Sequence, residues 1–510
     1  MNGGATYQDD LVDLDPDRCL RMCRSGDPRF DGWFFVGVTS THIYCRPSCP
    51  SRPPRADRMR YYPSAASAQS AGFRACKRCR PDASPGSPEW DLRADLSARA
   101  MRLIGDGVVD REGVAGMAAR LGYSERHLHR LLVAELGVGP QALARAQRAQ
   151  SARLLIETTD LPFTDVAFAA GFASVRQFND TVREVFADNP THLRAVARRR
   201  RGSTPIRPGW VSVRLAHRQP FDAAAAFSFL VTRAVPGVEE PTDAGGLRRA
   251  LTLPGGSAVV ELEPADGHVW CRLRLDDVAD LGAAVHRCRR LLDLDADPVA
   301  ADEVLAANGL ARAVRLHPGL RVPGTVDPHE LVCRAVAGQQ VSLASARRAL
   351  GLITATVGSR LEHPVAGVTH TFPSAEQVAA IAPAGARMPR RRAVALTGIA
   401  AALADGSLVV DAGSDREAAT AALLARPGIG PWTAAYVAMR ALGSPDAWLP
   451  GDVGVRAGLE ALGLRAGLDL QAAPERWRPW RSYAVMHLWA AAAQVDSSKE
   501  QPDTRKGSRS

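Results

Sequence analysis

The stretch HIYCRPSC, His42 to Cys49, sets two thiols four residues apart in a run crowded with arginine. A second pair, Cys76 and Cys79 in FRACKRCR, begins 27 positions after Cys49. Between Arg46 and Arg80 stand nine Lys or Arg residues and one acid, Asp57. The spacing C-x3-C-x26-C-x2-C offers four thiolates from two short loops, which is the donor set of one tetrahedral Zn²⁺. Such a site carries two net negative charges, so a sulfur in it stays nucleophilic without a general base. The surrounding arginines then serve to draw a phosphate toward an anionic centre that would otherwise repel it. The commoner use of four cysteines is a closed knuckle that only folds its domain. Cys19 and Cys23 form another C-x3-C pair, and spacing alone leaves them open as competing ligands.

Outward from this segment, 510 residues are too many for one core and suggest about three or four domains. A hydrophobic fraction of 46% and a charged fraction of 23% are ordinary for globular domains. A net charge of +10 points to a polyanionic partner, nucleic acid before an acidic membrane surface. No apolar run reaches the length of a membrane span, and MNGGATYQDDLVDLDPD has neither the basic nor the apolar part of a secretory leader. A cytoplasmic, nucleoid-associated protein is expected. In that compartment nine cysteines stay reduced, so close pairs read as metal ligands.

RPDASPGSPEW (80–90) reads as a linker, and the run Arg198 to Arg201 followed by GSTPIRPG marks a second break. The stretch between them has helical periodicity. Two of its passages resemble each other, MAARLGYSERHLHRLL (117–132) and VAFAAGFASVRQFNDTV (166–182). Each gives an alanine-rich helix, a Gly-aromatic pair, and a serine able to cap a following basic helix, so two helix-turn-helix units are predicted. From about 207 the pattern changes. AVVELEP (258–264) and HVWCRLRL (268–275) alternate apolar and polar residues around Ala-Asp-Gly, as a β-hairpin does, with helices at 221–235 and 280–292. Beyond roughly 300 the reading is helical to about 495, and 496–510 is a polar, disordered tail.

FVGVTSTHIYCRPSCPSRPP and YPSAASAQSAGFRACKRCRPD together resemble the Ada-type DNA methylphosphotriester sensor over about 30–82. The resemblance implies that Cys45 takes a methyl group irreversibly from a methylated DNA phosphate, with Cys49, Cys76 and Cys79 as the other zinc ligands and Arg46 at the DNA. Cys19 and Cys23 lie outside the motif. Losing one thiolate charge weakens repulsion from DNA phosphates, so DNA affinity is expected to rise after transfer.

Residues 92–198 resemble the AraC-type DNA-binding domain, whose two units read adjacent major-groove segments. The resemblance places the reading helices after Ser124 and Ser174. Arg126, His127, His129 and Arg130, with Arg176, Gln177 and Asn179, become candidates for bases or phosphates, against a plain solvated surface. Asp180 stands where a basic residue is common in that family. The chain lacks a PCHR-type motif, so direct repair of O6-methylguanine is not expected.

ARPGIGPWTAAYVAMRALGSPDAWLPGD (425–452) has the form of a helix-hairpin-helix, with Gly428 and Gly430 in a turn whose amides suit a phosphate. Locally, Asp452 is most simply a helix N-cap. With HPGLRVPGTVDPHELVCRAVAGQQVS (317–342) and ERWRPWRSYAVMHLW (475–489), the segment resembles 3-methyladenine DNA glycosylase II of the AlkA type over about 210–492. That resemblance makes Asp452 catalytic, and Trp432, Tyr436 and Trp489 walls of a base pocket, against ordinary core packing. Gln340 stands where a leucine wedge fills the duplex in a well-known member. Relatives that also cut the backbone carry a lysine where this chain has Trp432. No cysteine follows Cys333, so an iron–sulfur cluster is not expected.

The expected architecture is multidomain, mainly α with α+β parts. A zinc-binding α/β domain (1–85) precedes an AraC-type double helix-turn-helix (90–200), a mixed α/β, TBP-like domain (207–298) and a helix-hairpin-helix glycosylase domain (299–495). The expected function joins methyl transfer to Cys45, methylation-triggered activation with double-stranded DNA and RNA polymerase as partners, and hydrolytic excision of N-alkylated bases, with no membrane role. The rival is a transcription regulator whose C-terminal half grips DNA without chemistry.

Overall fold

The thiol-bearing segment is a small α/β unit. In this computed structural model, which describes residues 14–81, 95–201, 209–382, 385, 388–464 and 473–500, its sheet runs Met59–Tyr62, Phe35–Val38, Ile43–Cys45, Arg74–Ala75. The middle strands are antiparallel with Val36 opposite Cys45, and Ile43–Cys45 runs parallel to Arg74–Ala75 with Tyr44 opposite Ala75. That parallel pairing brings the ends of two strands, and hence the two thiol pairs, to one edge. Tyr44 is fully buried beneath them, its hydroxyl accepting from Gln69 Nε2 at 2.9 Å.

The helical stretch folds as two helix-turn-helix units joined by the long helix Pro140–Thr158. The reading helices are Glu125–Leu136 and Val175–Phe186, capped by Ser124, which accepts from His127 N, and by Ser174, which accepts from Gln177 N. Each buries one apolar stripe: Leu128, Leu132 and Leu136 in the first, Phe178, Val182 and Val185 in the second. The preceding helices end at Gly122 (φ 78°) and near Gly171 (φ 84°), left-handed turns that glycine adopts freely.

The mixed domain is a five-stranded antiparallel sheet in the order Val211–Ala216, His268–Leu275, Gly256–Ala265, Leu247–Leu253, Glu239–Pro241. Its central hairpin pairs Ala265 with His268 around Asp266-Gly267, as the alternation predicts. The flanking helices are Ala223–Val231 and Leu281–Leu291.

Two expectations for the C-terminal part are corrected. The stretch beyond 300 is not helical throughout: Arg360–Val365 and Val368–His370 form a hairpin. Its strand contains Pro364, which hides the alternation, and it is held from outside, since the Thr369 and His370 amides both donate to the Gly237 carbonyl. The last helix, Arg481–Glu500, also continues into the segment expected as a disordered tail, and the rest of that tail, 501–510, lies outside the described residues. The linkers around 82–94 and 202–208 lie outside them too. Among the described residues no helix is long and apolar enough to cross a membrane.

The layers are bonded to one another. Arg218 of the mixed domain donates from Nη2 to the Asp31 carbonyl (2.5 Å) and from Nη1 to the Asp295 carbonyl (2.7 Å). Arg99 and Arg102 reach from the helix Asp95–Gly105 to the carbonyls of Gly413 (2.6 Å) and Ala412 (2.7 Å).

Candidate functional site

At the sheet edge the sulfurs of Cys45, Cys49, Cys76 and Cys79 all lie within 4.8 Å of one another. A tetrahedron with Zn–S near 2.3 Å has S···S edges of about 3.8 Å, so the four sulfurs stand close enough to share one such ion. The loops are shaped for it: the Cys49 amide donates to the Arg46 carbonyl (3.1 Å) and the Cys76 amide to the Tyr44 carbonyl (3.0 Å). Contact with the other three sulfurs, and then burial, pushes the Cys45 thiol up, so a divalent cation is the physical means of holding four thiolates together. Cys19 and Cys23 are elsewhere. They sit on the helix Pro16–Ser25 in a core with Phe34, Val36 and Met59, and burial pushes both up to about 12. Arg46 pairs with the buried Asp31 at 3.3 Å, and Asp31 also accepts from Ser48 N (3.0 Å) and Oγ (2.6 Å).

On the reading helices Arg126, His129, Arg130, Arg176 and Gln177 are exposed, while His127 and Asn179 are half-buried. His127 stacks on Tyr123 at 5.3 Å and meets Arg130 Nη2 at 2.9 Å. Asp180 stands 3.9 Å from both Arg176 and Arg183, so the second helix presents less free positive charge than the first.

The helical hairpin comprises Arg416–Leu424 and Pro431–Arg440. Its two glycines differ. Gly428 has φ +84°, and a Cβ there would stand 2.8 Å from that of Ala395, whereas Gly430 has φ −96° and open space. Asp452 caps the next helix, Val453–Ala461, through Oδ1 and the Val455 amide (2.7 Å). It is more than a cap. Trp432 Nε1 donates to Oδ2 at 2.7 Å and Trp489 Nε1 to Oδ1 at 2.8 Å, so two indoles from different helices fix the carboxylate. Trp432 lies parallel to Tyr436, ring centres 5.1 Å apart, and Tyr436 is 6.5 Å from Trp489.

Sequence reasoning missed several neighbours. Phe229, on a helix of the mixed domain, stacks on Trp489 at 6.0 Å. Gln339, not Gln340, braces the hairpin, donating to the Gly428 carbonyl (3.0 Å) and Thr433 Oγ1 (2.9 Å). Gln340 is left exposed at φ 55°. Gly454 lets the Trp489 ring approach, since a Cβ there would meet its Cδ1 at 2.7 Å. Arg440, four residues beyond Tyr436, donates to its hydroxyl at 2.7 Å. Burial opposes ionisation of that phenol, but Arg440 and then Arg233 outweigh it and bring it below the usual tyrosine value.

A four-thiol cluster able to hold a metal, paired helix-turn-helix units and a hairpin followed by a braced aspartate point to a DNA-binding protein of the repair class. Three family models match: the metal binding domain of Ada at residues 18–82, a helix-turn-helix domain at 117–196 and the AlkA N-terminal domain at 212–327. A probable bifunctional transcriptional activator/DNA repair enzyme AlkA of Mycobacterium tuberculosis is 55% identical over 93% of this chain and 96% of that one. The DNA-3-methyladenine glycosylase 2 of Escherichia coli is 33% identical over 53% of this chain and 94% of its own, and the bifunctional activator Ada of the same organism 38% over 28% and 38%. The chain belongs to the family of bifunctional transcriptional activator/DNA repair enzymes that join an Ada-type sensor to an AlkA-type glycosylase.

Proposed function

We propose that the protein senses DNA methylation through Cys45, activates transcription once methylated, and excises N-alkylated bases of the 3-methyladenine type through Asp452. The observation that carries the excision is the convergence of two indole donors on one carboxylate beside a cluster of aromatic rings. Breaking an N-glycosidic bond builds positive charge on the deoxyribose, and a fixed anion beside it stabilises that charge or activates water. The aromatic faces of Trp432, Tyr436 and Trp489 receive the flipped base, Gly428 and Gly430 present backbone to the DNA, and Gln340 at the exposed tip enters the stack. With Trp432 in place of a lysine, the reaction ends at base release, a monofunctional hydrolysis.

At the other site, one zinc ion held by Cys45, Cys49, Cys76 and Cys79 leaves net negative charge that keeps sulfur nucleophilic. Cys45 Sγ bonds to the methyl carbon, the methyl–oxygen bond breaks, and its electron pair stays on the phosphate. The reading uses no iron–sulfur cluster; Cys271, Cys288 and Cys333 are buried in cores. Arg46, Arg126, His129, Arg130, Arg176 and Gln177 form the DNA-contacting set, RNA polymerase is the partner when activating, and the protein works in the cytoplasm at the nucleoid. The names of the relatives, an activator joined to a repair enzyme and a 3-methyladenine glycosylase, support this reading.

The test is to incubate the full chain with methylated DNA and follow both its intact mass and the bases released. One methyl mapped to Cys45, together with free 3-methyladenine, is expected. A methyl on another cysteine overturns the sensor assignment, and no released base leaves only a DNA-gripping regulator.

A further inference from the structure

Cations gather at the end of the aromatic cluster away from Asp452. Arg440 is buried, and while Nη1 donates to the Tyr436 hydroxyl, Nε and Nη2 hold the carbonyls of Pro323 (2.7 Å) and Gly324 (2.8 Å). Arg233 lies 3.7 Å over Phe229 and 6.0 Å over Trp489, and its charge faces the same phenol. Neither guanidinium meets a carboxylate among the described residues. A phenol has two lone pairs and one proton. Arg440 fills a lone pair of Tyr436, and the phenolic proton has no acceptor among the described residues.

Position gives that donor a direction. Trp432, Tyr436 and Arg440 recur every fourth residue of one helix and so form one stripe. Asp452 is bonded to the Trp432 end and Arg440 closes the other. A nucleotide with its sugar at Asp452 and its base along the aromatic rings turns the far edge of that base toward the Tyr436 hydroxyl.

We propose that the Tyr436 hydroxyl donates to the leaving base, a step that neutral bases need and cationic ones do not. The inference rests on the excision reading above. When the C1′–N bond breaks, its electron pair goes to the base. On an N-alkylated, cationic purine the pair cancels a charge already present. On a neutral base it creates an anion, and a donor at the acceptor edge must meet it. Tyr436 gives that hydrogen bond, or the proton itself. A water oxygen then bonds to C1′, and the proton it releases is taken up by the departed base or returned to the phenol. Arg440 and Arg233 hold the negative charge if the proton crosses, and the same two cations lower the phenol against its burial. They also occupy faces of Phe229 and Tyr436, which offsets the preference of those rings for a cationic base.

The experiment measures single-turnover base release by the full chain from duplexes carrying either hypoxanthine, neutral with a carbonyl acceptor, or 7-methylguanine, cationic. Tyr436→Phe keeps the stacking ring, so both rates can fall, and it is expected to slow hypoxanthine release about 10–100-fold more than 7-methylguanine release. Equal loss on both substrates, or loss on neither, overturns the donor role. If Tyr436→Phe fails to fold, replacement of Tyr436 by 3-fluorotyrosine, nearly isosteric but more acidic, must alter the hypoxanthine rate more than the 7-methylguanine rate. Wild-type protein that releases 7-methylguanine but not hypoxanthine sinks this inference by itself, whereas release of neither base sinks the excision reading beneath it.

Discussion

Trp432 Nε1 and Asp452 Oδ2 stand 2.7 Å apart, a bond that crosses from the second hairpin helix to the start of the next. The second residue of this helix therefore sets the rotation of a carboxylate 20 positions further on. A hydrogen bond to a charged acceptor is worth roughly 1.5–3 kcal/mol. Trp432→Phe, which keeps a ring but removes the donor, is expected to slow excision about 10-fold or more. Asp452→Asn is expected to slow it by about two to four orders of magnitude with DNA binding retained. Rates of base release beside a binding isotherm check both, and full activity in Asp452→Asn removes the catalytic assignment.

The two cysteine pairs of the N-terminal unit should separate cleanly on metal analysis. Cys76→Ala is expected to lose zinc and unfold the segment around it, because metal binding and folding are linked there. Cys19→Ala, on a helix that faces Phe34 and Met59, keeps its zinc. Full zinc content in Cys76→Ala contradicts the four-thiol site.

Gly428→Ala and Gly430→Ala form a matched pair. The first forces a side chain into φ +84° and against Ala395, a cost of roughly 1–3 kcal/mol, while the second meets nothing within 4 Å at an ordinary φ. Urea unfolding should show the first markedly destabilised and the second less so, by no more than the roughly 1 kcal/mol that alanine loses at a helix N-cap.

His286 reports on the joint between the DNA-reading layer and the mixed domain. Its ring lies against Gly105, and burial, opposed by Asp295, drops its pKa to about 4. Arg289, Arg290, Asp106 and Asp295 face it. With the folded value below the unfolded one of about 6.5, the unfolded chain binds more protons between the two. Its contribution is thus complete above about pH 6.5 and fades as the pH falls toward 4. Between pH 7.5 and 5.5 it should cost about 1 kcal/mol. His286→Gln should flatten that part of the curve, and an unchanged slope in the variant assigns the pH dependence to other groups.

What the sequence revealed was local, and what it hid was assembled across distance. The caps at Ser124 and Ser174 and the hairpin around Asp266-Gly267 each depend on a few adjacent residues, and they stand where the pattern puts them. Cys19 and Cys23 carry the same spacing as Cys45 and Cys49, and only the burial of their helix face separates the pairs. Phe229, on a helix, and Arg233, just past its end, reach the aromatic rings from some 200 residues before Trp432, with no local pattern to announce them. The hairpin at 360–370 escaped because Pro364 interrupts its alternation and Gly237, far off in the chain, holds it.

The stripe of Trp432, Tyr436 and Arg440 makes the cleft sensitive to length more than to composition. Each step of four residues drifts only about 40° around a helix, but one inserted residue turns everything beyond it by about 100°. An insertion between Trp432 and Tyr436 would part the stacked rings, and one between Tyr436 and Arg440 would free the phenol from its guanidinium. The reading frame of the helix between Trp432 and Arg440 cannot shift without undoing one end of the stripe or the other.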